Sequence, residues 1–221
     1  MHNFSLSFIF LSIVSIIFFF LFSFTNYKVR FKSNYNIRNH FPYELNYEGE
    51  FKDNLLGNIF AILIAVGAIL FYAFYDESRT NGYFLFTMIG GMINSLTVLA
   101  LIFLPLKLLK AHLATVTINV IFSFLIPFAL ALEASIAFSK TKEAAPLIFI
   151  IINSLICLFV FILLLNPRLT RWADMDKKEN EDGSISYLRP KYLSLAFTEW
   201  LLFFLNILLM VVAFLTRTFI N

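Results

Sequence analysis

The chain has 221 residues, of which 60% are hydrophobic and only 14% charged, and its mean hydropathy is +0.81. Water-soluble domains carry about 25% charged residues, so a soluble globular protein is excluded. With a formal net charge of +3, the expected surrounding partner is the lipid bilayer, and no nucleic-acid partner is expected.

Six apolar runs follow one another along the chain, at 4–24, 55–75, 83–105, 113–138, 145–165 and 192–216. Each reaches the roughly 20 residues that an α-helix needs to cross a bilayer. The expected fold class is therefore all-α: a polytopic membrane protein with six transmembrane helices in a compact bundle. It forms one membrane domain over 1–221, with loops at 25–54, 106–112 and 166–191. The first run has no basic residues before it and no small-residue cleavage site after it. It also exceeds the about 7–15 apolar residues of a secretory signal, so it reads as an uncleaved anchor.

The loop 25–54 carries Phe41-Pro42-Tyr43-Glu44-Leu45, aromatics beside charge, which suggests a segment lying at the membrane interface. His40 and Glu44 lie within it, without an accompanying nucleophile. The second run places Gly57, Ala61 and Ala65 at intervals of four, a small-residue stripe suited to close helix packing. Another span of the same chain is the expected partner, a second subunit the alternative. Gly90 and Gly91 in the third run would likewise allow close approach. The links 76–82 and 139–144 make tight antiparallel hairpins.

Polar residues inside the runs need partners. Asn58, Asn94, Asn119, Asn153 and Asn206 recur through the spans, with Asn94, Asn153 and Asn206 near mid-helix. An amide in hydrocarbon turns to the bundle interior and bonds another helix. Two acids, Glu133 and Glu199, lie in spans four and six near opposite ends, too far apart to act together. Glu199 is the better functional candidate, because Trp200 adjoins it and Lys107, Lys110 and His112 fall at the same end. Pro127 removes a backbone donor in mid-span four and is a candidate hinge. The tetrapeptide Ile93-Asn94-Ser95-Leu96 recurs as Ile152-Asn153-Ser154-Leu155, a faint internal repeat. The 29 phenylalanines are scattered over the spans and read as lipid-facing bulk.

No cofactor and no metal site is expected. The one cysteine, Cys157, excludes an intramolecular disulfide, and the three histidines form no metal-ligand spacing. An EF-hand frame through Asp182-Gly183 places Lys178 and Arg189 where oxygen ligands belong, so calcium binding fails and a solvated loop with a turn is expected. Phosphate-loop, nucleophile-elbow and dinucleotide motifs do not occur.

Thirteen Lys and Arg fall in the loops 25–54, 106–112 and 166–191, and four (Arg79, Lys140, Lys142, Arg217) on the other face. Positive charge stays cytoplasmic, so these loops are expected inside a cell membrane and both termini outside. The leading functional expectation is a non-catalytic protein that binds or passes a small or lipidic molecule. Its expected pathway is formed by Asn94, Asn153, Asn206 and Glu199. An accessory or scaffold subunit with a membrane-protein partner is the alternative. A lipid-modifying enzyme using His40, Glu44 or His112 ranks third.

Overall fold

A computed structural model describes residues 2–46, 51–75, 82–105, 108–166, 176–179, 185–188 and 190–220. Six α-helices dominate it: α1 (His2–Phe31), α2 (Leu55–Ala73), α3 (Gly82–Phe103), α4 (Leu109–Thr141), α5 (Ala144–Leu164) and α6 (Ser194–Phe219). All six are long and apolar enough to cross a membrane, so the chain is a multi-pass, all-α membrane protein. The alternation of the six helices puts the three basic loops at one end of the bundle, the basic end.

Two helices outrun the apolar runs that announced them. α1 continues to Phe31, taking Lys28 and Arg30 into its last turns, because no Pro or Gly interrupts residues 25–31. It stops at Lys32, whose φ of 52° is left-handed. α4 starts at Leu109 and runs 33 residues, about 50 Å, straight through Pro127. Lys142 caps it in the left-handed region and its N–H bonds Phe138 O at 2.9 Å. The link to α5 is thus only Lys142-Glu143. The loop 166–191 contains an antiparallel strand pair, β1 (Asp176–Glu179) and β2 (Ile185–Leu188), with Asp176 opposite Leu188 and Glu179 opposite Ile185. Asp182-Gly183 lies outside the described residues.

Consecutive helices from α1 to α5 pack side by side, and α6 packs against all five. It is the most buried of the six spans, while α1 and α5 are the least. The last helix of the chain is therefore the axis of the bundle. Polar side chains on α6 can face protein on several sides and avoid lipid.

α1 and α2 meet through small residues. Ser12 Oγ donates to Ile64 O at 3.2 Å and Ser5 Oγ to Phe74 O at 3.3 Å. A Cβ on Gly57 would strike Ser23 and Asn54, and one on Gly67 would strike Ser12. Ala61 and Ala65 are buried in the same face, so the α2 stripe is covered by α1 of the same chain. Many phenylalanines do face outward, but a group of them gathers between α1 and α6. Phe19, Phe20 and Phe24 of α1 stack with Trp200, Phe203 and Tyr35 at ring separations of 5.0–6.0 Å.

Candidate functional site

The polar interior is built in two layers on α3, α4 and α6. α4 and α6 both run away from the basic end. His112 and Asn119 are seven residues apart on α4, and Glu199 and Asn206 are seven apart on α6. Seven residues are two turns, so each pair shares a helix face at heights about 10.5 Å apart. The two rows meet, and α3 closes the seam.

In the layer at the basic end, His112 Nε2 lies 2.8 Å from Glu199 Oε1, with neither side chain exposed at all. His112 Nδ1 is 2.8 Å from Leu104 O, beyond the end of α3. A carbonyl only accepts, so Nδ1 carries a hydrogen. The bond to Glu199 then holds one further proton, on His112 Nε2 or on the carboxyl oxygen. Either way the couple is neutral overall. Glu199 Oε2 is buried without a protein partner.

A folded-in segment of the first long loop covers this couple. Pro42–Leu45 is a single 3-10 turn with proline at its start, and Phe41 N–H donates to Glu44 Oε2 at 2.7 Å. The segment was expected at the membrane interface. Instead Phe41, Tyr43, Glu44 and Leu45 are all buried in protein. The rings of Phe41 and Tyr43 stand edge-on to the His112 imidazole at 6.2 and 5.8 Å. Burial pays the apolar residues back only if the backbone is tied down, and several bonds do that. Trp200 Nε1 donates to His40 O at 2.9 Å and to Tyr35 Oη at 3.2 Å, and Tyr35 Oη donates to Phe41 O at 2.6 Å. Leu193 N bonds Arg38 O, and Asn39 Nδ2 bonds Pro190 O. Burial pushes the Tyr35 hydroxyl well above the ordinary tyrosine value.

The second layer joins amides. Asn94 Nδ2 donates to Asn206 Oδ1 at 3.1 Å, and Asn119 Nδ2 donates to Thr97 Oγ1 at 2.9 Å. Thr97 Oγ1 in turn donates to Asn94 O at 2.7 Å. All are buried, yet Asn94 Oδ1 and Asn119 Oδ1 have no protein partner. The same holds for Ser123 Oγ, one turn after Asn119 on α4, and for Thr87 Oγ1, two turns before Asn94 on α3. Buried polar atoms are ordinarily bonded to protein or to ordered water.

The residues marked from sequence thus separate. Asn94, Asn206 and Glu199 share the seam. Asn153 does not: its Nδ2 bonds Phe149 O at 2.8 Å and Thr216 Oγ1 at 3.4 Å. Thr216 is ten residues beyond Asn206 on α6, about 15 Å away along the axis. The faint repeat divides the same way, because Ser95 is buried and Ser154 is exposed. Pro127 is buried inside a continuous helix. Lys110 is exposed and Lys107 lies outside the described residues. His112, placed in a loop from sequence, belongs to the first turn of α4. Asn119 was named but not singled out, and its seven-residue offset from His112 was the available signal. His40 Nδ1 bonds Asn36 O and Asn39 Oδ1.

Among the described residues no group of three or more His, Cys, Asp or Glu could hold a metal ion. A groove of about 370 Å³ near Tyr83, Phe86, Leu125 and Phe128 is almost wholly apolar and suits acyl chains, not a polar solute. Comparison of the chain with protein-family models, with curated proteins and with solved structures finds no match.

Proposed function

We propose that this protein binds a small polar solute along the α3–α4–α6 seam and lets it pass between the two faces of a cell membrane, with the basic end in the cytosol. One observation carries the reading. Glu199 Oε2, Asn94 Oδ1, Asn119 Oδ1 and Ser123 Oγ are buried acceptors without protein partners, and they succeed one another along one seam. Amides present only to hold helices together would spend both ends of each side chain on neighbouring helices. Asn153, away from the seam, also keeps Oδ1 without a protein partner, so it is the succession of such atoms that matters. The covered α2 stripe removes the main argument for a scaffold that presents Gly57, Ala61 and Ala65 to another protein.

Cysteine accessibility in native membranes tests this. Asn119→Cys and Ser123→Cys, each in a Cys157→Ser background, should react with a small water-soluble methanethiosulfonate. Ile121→Cys, on the exposed face of the same helix, should not. Silence at both seam positions, with the proteins intact, would show a dry interior and refute the proposal.

A further inference from the structure

We propose that the solute of this seam is the proton, and that the His112–Glu199 couple is its binding site at the basic end. The assignment rests on the seam reading above and deepens it.

The argument starts from the hydrogen count. With Nδ1–H given to Leu104 O, the Nε2–Oε1 bond at 2.8 Å is complete with one proton. It has no donor or acceptor left for a larger ligand. The vacant valence of the couple is Oε2 of Glu199 alone, a single acceptor in a buried position. A metal ion would need several ligands at once, and among the described residues no third His, Cys, Asp or Glu joins His112 and Glu199. One acceptor atom is sufficient for a proton. Uptake is balanced as follows. A hydronium in the seam gives its proton to Oε2, an O–H bond forms there, and water remains. His112 keeps Nε2–H as an imidazolium, so the couple goes from neutral to a single positive charge. Release reverses the step.

The atoms beyond Oε2 suit the same traffic. From the couple to the Asn94–Asn206 layer is about 10.5 Å, which roughly three hydrogen-bonded waters span. Asn94 Oδ1, Asn119 Oδ1 and Ser123 Oγ are acceptors that can hold such waters without being titrated themselves. Among the described residues, the other titratable groups near the couple come from one loop. They are Glu44, which accepts from Phe41 N–H, Tyr35, which accepts from Trp200 next to Glu199, and Tyr43, whose ring contacts His112. Lys110, one turn before Ala114 on α4, is exposed. Among the described residues, the end of α3 contributes the Leu104 carbonyl.

The test uses the purified full chain in liposomes with a trapped pH-sensitive dye, a potassium gradient and valinomycin to drive protons. Wild-type protein should carry protons faster than protein-free vesicles. Glu199→Gln, which keeps size and can donate its amide N–H to His112 Nε2, should reduce the rate to that of protein-free vesicles, and Glu199→Asp should restore part of it. Wild-type flux no faster than bare lipid, or equal flux in Glu199→Gln, overturns the assignment. Should Glu199→Gln fail to fold, infrared difference spectra of the wild type decide the matter. Acidification should raise a buried carboxylic C=O band, and its absence overturns the proposal. Cysteine labelling that is positive in the seam while both proton readouts are negative leaves the polar pathway standing and removes only the proton.

Discussion

The couple of His112 and Glu199 makes a quantitative claim that a double-mutant cycle can check. His112→Leu leaves a buried carboxyl with both oxygens bare and strips Leu104 O of its donor. Glu199→Leu leaves only Nε2 bare, since Nδ1–H keeps its carbonyl, so it should cost less. Removing one partner of a buried ion pair costs about 3–5 kcal/mol, whereas replacing both by apolar residues is often neutral. At roughly 2–4 °C per kcal/mol for a chain of this length, His112→Leu should melt about 6–20 °C lower. The lower half of that range is expected, because helices unfolded in detergent or lipid also find partners for their polar groups. The protein supplies its own probe. Cys157 is its one cysteine and is buried against α4, so a thiol-reactive dye reports unfolding directly. The double variant His112→Leu/Glu199→Leu should recover most of the loss. A double variant that melts lower by the sum of the two single losses would refute the coupling and the geometry behind it.

Three further outcomes follow from the packing. Gly91→Ala should destabilise by about 1–3 kcal/mol in the same melt, because its Cβ would enter the ring of Tyr72, itself fully buried; unchanged stability would mean that α2 and α3 do not meet there. Asn94→Leu should abolish solute passage and cost about 0.6–1.7 kcal/mol by orphaning Asn206 Oδ1, while Asn153→Leu should leave passage intact; equal effects of both on flux would return Asn153 to the pathway. Above about pH 10 the unfolded chain ionises Tyr35 while the folded one keeps it neutral, so stability present below that pH is lost as pH rises. Tyr35→Phe should flatten that alkaline loss in melts taken across the range, and an unchanged slope would count against a buried hydroxyl.

The six helices were legible because a run of about 20 apolar residues is a local signal that needs no knowledge of partners. Their ends were not, since the runs mark hydrocarbon while a helix stops only at a breaker or a cap. α1 and α4 pass their charged flanks for that reason, and His112 moved from a presumed loop into a helix. Position along one helix could be counted from sequence, but neither the offset between helices nor the rotation about each axis could. Asn94 and Asn153 hold the same place in the repeated tetrapeptide, yet Asn94 meets Asn206 while Asn153 meets Thr216, ten residues further along α6. The partner of Glu199 is 87 positions away in sequence, and the hint lay in spacing: 112 with 119, and 199 with 206. For the loop segment Phe41–Leu45 the aromatics beside charge did not reveal that the side chains are buried against His112, because that pattern describes a membrane interface and a protein plug equally well.

The position of α6 explains why the polar layers occur where they do. A charged or amide group facing lipid is costly, so it must be surrounded by protein on every side. In a bundle of six helices only an encircled one offers such positions over several turns. α6 is that helix, touching the other five, and it carries both Glu199 and Asn206. α1 and α5, with most of their surface outward, carry no carboxylate within their helices. The repeat of seven follows from the same constraint. A polar side chain two turns along returns to nearly the same face, so α4 and α6, running parallel, can match layer to layer only at that interval. Between the layers α6 buries Leu202 and Phe203, the latter against the Phe19 and Phe20 rings of α1. Both polar layers thus sit on the helix least able to move without disturbing every other.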